Sequence, residues 1–339
     1  MQADDVVRWG VLATGKIAHT FATDLRLVQG SRLAAVASRS LESAQRFALE
    51  HATEDHTPLA YGSYAELAAD PDVDVVYVAS PHALHLEHVR MLLEAGKPVL
   101  CEKPVTLNAA QAEELIDLAR ERGLFFMEAM WMACHPLVRH VRERVLAGDF
   151  GTPTQLVADL GWLVDLPPTD RMFAPELGGG ALLDMGVYVL TFAQLFLGEP
   201  EQLGATAVLD EHGIDLNTAI VGRYPGGAVA ALTTTMTGHS PRTATIATDL
   251  GLLEFPGPFH HPSQVIWTSY EGGRPQQPVK IDPPQPVVGA GYGNEAREVV
   301  RCLRAGELES PMVPHAQTLA VMRQLDELRG QLGIVYPGE

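Results

Sequence analysis

Val6-Val7-Arg8-Trp9-Gly10-Val11-Leu12-Ala13-Thr14-Gly15-Lys16-Ile17-Ala18, VVRWGVLATGKIA, is the stretch that decides how the first third of the chain reads. The apolar run Val6–Leu12 predicts a buried strand, and the pattern from Lys16 to Leu27 predicts a helix. Between them lies a tight turn holding Ala13, Thr14 and Gly15. A dinucleotide site needs a small residue in that turn and a Gly where backbone meets pyrophosphate. It also needs a third small residue where the helix packs on the strand. Ala13, Gly15 and Ala18 fill those places as A-x-G-x-x-A, so only the central Gly is kept. Taken alone, such a turn is as much an ordinary strand–helix junction as a phosphate cradle. Its place before a helix N-terminus, at Lys16 and Ile17, adds an anion-binding direction.

Working outward, the alternation continues. Strands are expected at Arg32–Ser38, Val73–Ser80, Lys97–Lys103 and Leu124–Trp131, with helices at Leu41–His51, Leu84–Gly96 and Asn108–Gly123. Strand–helix alternation with strands apolar on both faces implies an α/β fold built on a doubly wound parallel sheet. This first domain is assigned to residues 1–130. From 131 to 339 the texture changes. Helical patterns at Pro136–Ala147 and Gly180–Gly198 are followed by consecutive Gly- and Thr-rich extended segments, from Gly204–Leu209 to Val265–Tyr270. Two closing helices follow, near Asn294–Ala305 and His315–Leu332. Strands without intervening helices predict a C-terminal α+β domain with a mostly antiparallel open sheet. The Pro-rich segment Pro275–Pro286 reads as a surface loop.

Bulk properties narrow the partners. The chain of 339 residues is 46% hydrophobic and 19% charged, with a formal net charge of −18. That acidity disfavours nucleic acid and anionic membrane surfaces, so any phosphate must be held locally by backbone N–H groups and one or two bases. Cys101, Cys134 and Cys302 lie far apart without CxxC pairing, which points to reduced thiols. The N-terminus has no basic-then-apolar leader pattern, and no uninterrupted apolar run approaches the ~18 residues of a membrane span. A cytoplasmic protein is expected.

The second strand ends in Ser38-Arg39-Ser40, with Arg39 24 residues beyond Gly15. An acidic residue there would grip the 2′-hydroxyl of NAD, whereas the Arg39 guanidinium suits the 2′-phosphate of NADP. His82, His85 and His88 recur every three residues after Ser80 and Pro81. On a helix they fan by about 60° per step, which suits no single ion, and no metal is expected. A polar helix start facing a cofactor cleft is the better reading. In Val99-Leu100-Cys101-Glu102-Lys103-Pro104 an apolar strand ends in two charges and a proline. Ligands in open α/β sheets bind outside the carboxyl ends of the strands, which places Glu102 and Lys103 at the cleft.

With CEKP joined to Gly178–Tyr188, GGGALLDMGVY, the chain resembles the Gfo/Idh/MocA family of glucose–fructose oxidoreductase and inositol dehydrogenase relatives. VASPHALH, MEAMWMACHP and RMFAPELGGGALLDMGVY carry the resemblance towards the branch of dihydrodiol and NADP-dependent xylose dehydrogenases. The resemblance implies an N-terminal Rossmann domain, a C-terminal substrate-binding and dimerisation domain, and NADP as cofactor, with NAD as a substitute. By carry-over Lys103 is the active-site lysine, and Asp184 and Tyr188 complete the catalytic set. Ala13, Thr14, Gly15, Lys16, Ile17, Ser38, Arg39, Ser80, Pro81, His82, His85, Glu102 and Lys103 are the candidate cofactor contacts. Trp131, His135, Arg171 and Phe173, with Asp184 and Tyr188, fall in family-like segments that line the substrate pocket. Two departures stand out: Ala13 replaces the commoner first Gly, and Ser43 stands where NADP-selective relatives often carry a second base.

Asp184 and Tyr188 sit at i and i+4 of a helical pattern, so they are expected on one face. Hydride transfer to nicotinamide leaves a carbonyl, so the substrate hydroxyl must lose its proton to a positioned base. A free tyrosine, with a pKa near ~10, becomes such a base when a cation such as Lys103 stabilises its phenolate. The expected activity is oxidation of a sugar or cyclic diol by a homodimer. The alternatives are an NAD-dependent redox glycosidase, which Arg39 disfavours, and a non-catalytic cofactor-sensing regulator, which has no need of an intact catalytic set.

Overall fold

A computed structural model describes residues 6–167, 169–337 and 339 of the chain. Residues 1–5, on which the reading of the N-terminus partly falls, lie outside the described residues. The chain divides into two compact units: residues up to Cys134 together with Val287–Thr318, and His135–Pro286 together with Leu319–Glu339. Residues 287–318, placed by sequence in the second domain, therefore pack with the first unit.

In the first unit, β1 (Val7–Leu12), α1 (Lys16–Leu25), β2 (Ser31–Ala37), α2 (Leu41–Glu50), β3 (Leu59–Tyr61), α3 (Tyr64–Ala69) and β4 (Val75–Val78) follow in order. Then come α4 (His85–Glu94), β5 (Val99–Glu102), α5 (Ala109–Arg122) and β6 (Phe126–Ala129). The sheet order is β3-β2-β1-β4-β5-β6, and every adjacent pair is parallel. β4, β5 and β6 are buried along their whole length, as strands covered on both faces must be. Strand order reverses between β1 and β4, so the loops after these two strands splay apart and leave a crevice. The pair β3 and α3 was not foreseen, being too short for periodicity to register.

The second unit holds α6 (Pro136–Leu146), β7 (Pro153–Gly161), a π turn at Leu182–Gly186, α7 (Val187–Leu197), β8 (Gln202–Leu209), β9 (Asp215–Arg223) and β10 (Val229–Thr235). β11 (Ala244–Thr248), β12 (Gly251–Phe255), β13 (Val265–Glu271), β14 (Arg274–Pro275) and β15 (Val279–Ile281) complete its sheet. The order is β14-β13-β12-β11-β7-β10-β9-β8, with β15 on β13. Pairing is antiparallel except for β7 with β10, which makes the sheet mixed. The Pro-rich segment expected as a loop contributes β14 and β15, because Val279 and Ile281 pair with Trp267 and Val265 at the sheet edge.

α8 (Tyr292–Ala305) belongs to the first unit, and α9 (His315–Leu332) runs from the first into the second. The span Pro175–Leu197 passes for a membrane-crossing helix by length and composition only, and Asp184 interrupts its apolar run. It is 89% buried inside the protein, so its hydropathy reflects a core position.

Ala13 adopts φ 77°, a left-handed conformation that costs an L side chain about 1–2 kcal/mol. The turn therefore demands what a Gly would give freely. Ala13→Gly relieves the strain but adds freedom to the unfolded chain, worth about 0.4–1 kcal/mol. The expected outcome in urea denaturation is a gain of up to ~1 kcal/mol with cofactor binding kept. A clear loss of stability would show that this turn is not strained at Ala13.

Candidate active site

The cofactor half of the site is built at the crevice of the first unit. Gly15 caps α1 with extended backbone, and a Cβ placed on it would meet nothing within 4 Å. No side chain caps the helix, so the first-turn N–H groups at Lys16 and Ile17 are open to an anion. Beside them Thr14 donates its hydroxyl to Ser38 Oγ at 3.5 Å, and Ser40 caps α2 by accepting from Ser43 N at 3.3 Å. Arg39 is exposed and acts electrostatically on Tyr64 and His88. Hydroxyls, helix N-termini and one guanidinium suit a dinucleotide that carries an extra phosphate. Arg46, which sequence reasoning passed over, donates to Ser43 Oγ at 3.4 Å. It puts a second base next to the position where Ser43 lacks one.

After β4, the candidates Ser80 and His85 serve as scaffold. The His85 ring is fully buried, its Nε2 2.8 Å from the Ser80 carbonyl oxygen and its Nδ1 2.9 Å from that of Pro104. Burial pushes the His85 pKa down to about 4, so at neutral pH the ring has one N–H to donate. The ring therefore lies between the end of β4 and the turn that follows Lys103 and donates to one of the two carbonyls. His88 Nδ1 lies 2.9 Å from Ser80 Oγ, and His82 is buried with its ring 5.9 Å from that of His85. Pro81 precedes the short 3₁₀ turn His82–Leu84, where a helix start was expected. Among the described residues no group of three His, Cys, Asp or Glu side chains is arranged to hold a metal.

At the end of β5, Glu102 faces inward. Its Oε1 accepts the Tyr77 hydroxyl, and its Oε2 accepts the Lys103 backbone N–H at 3.2 Å. Glu102 therefore anchors the backbone of Lys103, whose side chain is half-buried. Beneath this turn lies Glu128 of β6, which accepts from Val105 N at 3.2 Å and from the Thr318 hydroxyl at 3.0 Å. Burial raises its pKa to about 7, while the Lys103 charge pulls it down. Sequence reasoning missed Glu128, although a carboxylate inside the apolar run Phe125–Ala129 was the available signal.

Trp131, a substrate candidate, is stacked on Tyr292 at 4.6 Å with 11° between the planes, within the first unit. The other candidates lie in the second unit. His135 caps α6 by accepting from Leu137 N at 3.3 Å, and burial holds its pKa down to about 4. Arg171 Nη2 is 3.4 Å from Asp184 Oδ1, and Phe173 ends the same 3₁₀ turn, half-buried. Asp184 and Tyr188 are 5% and 7% exposed. Asp184 sits in the π turn and Tyr188 in the first turn of α7. The Tyr188 ring packs on His260 at 5.1 Å, and His260 on His261 at 4.7 Å.

The first unit thus holds an uncapped helix start and a half-buried Lys103 after a strand end, and the second a buried phenol, Tyr188, and a buried carboxylate, Asp184, paired with Arg171. A sequence profile described as "Oxidoreductase family, NAD-binding Rossmann fold" matches residues 7–130, and the "GFO/IDH/MocA C-terminal domain" profile matches 138–254. A trans-1,2-dihydrobenzene-1,2-diol dehydrogenase of Xenopus tropicalis is 36% identical, over 97% of this chain and 99% of its own. A D-xylose 1-dehydrogenase (NADP(+)) of Hypocrea jecorina is 36% identical, over 98% and 93%. Among solved structures, a 3-ketoreductase from Actinomadura kijaniata in complex with NADP and TDP-benzene superposes with a TM-score of 0.84. It is 27% identical, over 96% of this chain and 98% of its own.

The raised pKa of Glu128 has a measurable sign. Between the ordinary carboxylate value near ~4 and about 7, the folded state holds the proton that the unfolded chain has released. Stability from this group is thus full at low pH and is lost as pH rises to about 7. Glu128→Gln, which can keep both hydrogen bonds, is expected to remove a slope worth about 2–3 kcal/mol between acid and neutral pH. Urea unfolding of both proteins across that range measures it, and parallel curves would refute the assignment.

Proposed function

The chain belongs to the GFO/IDH/MocA oxidoreductase family, and from that membership we propose how its own residues move hydride between a sugar or cyclic diol hydroxyl and NADP. The observation that carries the reading is the cradle at Gly15 and the uncapped start of α1, followed by Ser38-Arg39-Ser40 at the end of β2. NADP, when bound, accepts or supplies the hydride.

The pyrophosphate falls to the N–H groups of Lys16 and Ile17 above Gly15, and the 2′-phosphate to Arg39, Ser38 and Ser40. Arg46 stands near enough, through Ser43, to add a second charge. Tyr188 takes the proton from the reacting hydroxyl. The Lys103 ammonium stabilises the resulting phenolate and the developing charge on oxygen. Asp184, oriented by Arg171, accepts a hydrogen bond from a neighbouring substrate hydroxyl. Trp131 in the first unit, and His135 and Phe173 in the second, are proposed as further substrate contacts. Glu102 and His85 act through the backbone on either side of Lys103.

We further propose that the protein is a cytoplasmic homodimer. Its three cysteines are free and buried, which fits a reducing compartment. One face of the β7-β10-β9-β8 sheet exposes Val157, Val208, Val221 and Val229 among Thr and Ala. An open apolar sheet face of this kind needs a cover. Light scattering of the purified protein should give twice the 36.6 kDa chain mass, and Val221→Glu should halve it. A wild-type monomer defeats this part.

Cofactor reduction, followed by absorbance across a panel of aldoses and cyclic diols with NADP and NAD side by side, tests the activity. Turnover with NADP preferred is expected. Lys103→Met and Tyr188→Phe should each lose about 10²–10⁴-fold in kcat with cofactor still bound. Full turnover by either variant removes that residue from its role. Tight cofactor binding without turnover on any polyol favours the sensing regulator.

A further inference from the structure

The short peptide leading into Asp184 and Tyr188 is gripped from outside its own helix. Asp215, the first residue of β9, is fully buried. Its Oδ2 accepts the Leu182 N–H at 2.7 Å and the Thr218 hydroxyl at 2.8 Å. Its Oδ1 lies against Gly180, where an added Cβ would be 2.3 Å away. Gly180 itself takes φ 119°, a conformation open to Gly. From the end of the chain, Tyr336, 1% exposed, donates its hydroxyl to the Gly179 carbonyl at 3.1 Å. The Arg329 guanidinium lies over the Tyr336 ring and pairs with Asp326 and Glu339, which holds this second strut in place.

Local backbone cannot supply this precision. Leu182 opens the π turn, where the regular i to i−4 ladder is interrupted. A fully buried carboxylate is also a costly way to satisfy one N–H, since an apolar residue there would avoid desolvating a charge. Its use here makes sense if the position of that N–H matters. Displacing reacting groups by about 1 Å can cost roughly 10²-fold in rate.

We propose that Asp215 and Tyr336 are positioning residues for Asp184 and Tyr188, fixing the peptide Gly179–Leu182 from which the π turn starts. This rests on the catalytic roles assigned above. Neither residue touches substrate or cofactor in this scheme. Both act by holding backbone.

The test uses the full-length protein and the variants Asp215→Ala, Asp215→Asn and Tyr336→Phe. Amide hydrogen exchange over residues 179–188, kcat and KM for the best polyol, and the Kd of NADP are read together. Asp215→Ala should speed exchange in that segment about tenfold and lower kcat about 10–100-fold, with the NADP Kd unchanged within about twofold. Asp215→Asn, whose amide oxygen still accepts the Leu182 N–H, should return both readouts to within about threefold of the parent. Tyr336→Phe, which keeps the ring, should speed exchange in the same segment about threefold, and it decides the matter if Asp215→Ala does not fold.

Exchange and kcat within twofold of the parent in Asp215→Ala would overturn the proposal, as would an unchanged segment in Tyr336→Phe. An Asp215→Asn variant as impaired as Asp215→Ala would also overturn it. A parent that turns over no polyol, yet shows strut-dependent exchange, would defeat the oxidoreductase reading and leave the two struts standing.

Discussion

Four backbone N–H groups, from Ala290, Gly291, Tyr292 and Gly293, converge on the buried carboxylate of Asp24 at 3.0–3.2 Å. Asp24 thereby caps α8 from α1, and its charge meets the positive end of the helix. A Cβ on Gly289 would fall 2.0 Å from that carboxylate, so the approach works only with Gly there. Much of the first unit follows from this one contact. It closes residues 287–318 back onto the parallel sheet, sets Tyr292 on Trp131, and brings Glu295 into the field of Glu102.

The buried acids of this unit are not equivalent. Asp24 is satisfied by four donors. Glu102 is satisfied by Tyr77 and by the Lys103 N–H. Glu295, fully buried with neither carboxyl oxygen hydrogen-bonded, is driven to its neutral form by burial and by the charges of Glu102 and Asp24. Tyr77, stacked on Phe21 at 3.8 Å, holds Glu102 from the sheet side. The second unit solves its own positioning problem differently, with polar struts from β9 and the chain end gripping a glycine-rich entry to an apolar helix.

Much of the first unit was legible in the sequence. Strands buried on both faces leave continuous apolar runs, and Asn108 and Gly123 mark the two ends of α5 as cap residues do. The junction at Ala13–Lys16 and the single base Arg39 were also visible, because phosphate binding demands particular residues at fixed offsets, whereas Arg46 was not. The short β3, α3, β14 and β15 were not, since three-residue strands carry too little pattern. The π turn was read as ordinary helix, because its composition is that of the helix it opens.

The sequence by itself determined the parallel sheet, the mostly antiparallel second sheet and the turn at Ala13–Gly15 before a helix, because each depends on local periodicity or on residue type at a fixed spacing. Only the tertiary structure decided that residues 287–318 return to the first unit. It also decided that His85 and Glu102 spend their polar atoms on the backbone around Lys103, and that Asp215 and Tyr336 hold the entry to Asp184. With the Asp24 contacts, these join residues up to 269 positions apart, and no local pattern encodes which buried polar atom will meet which.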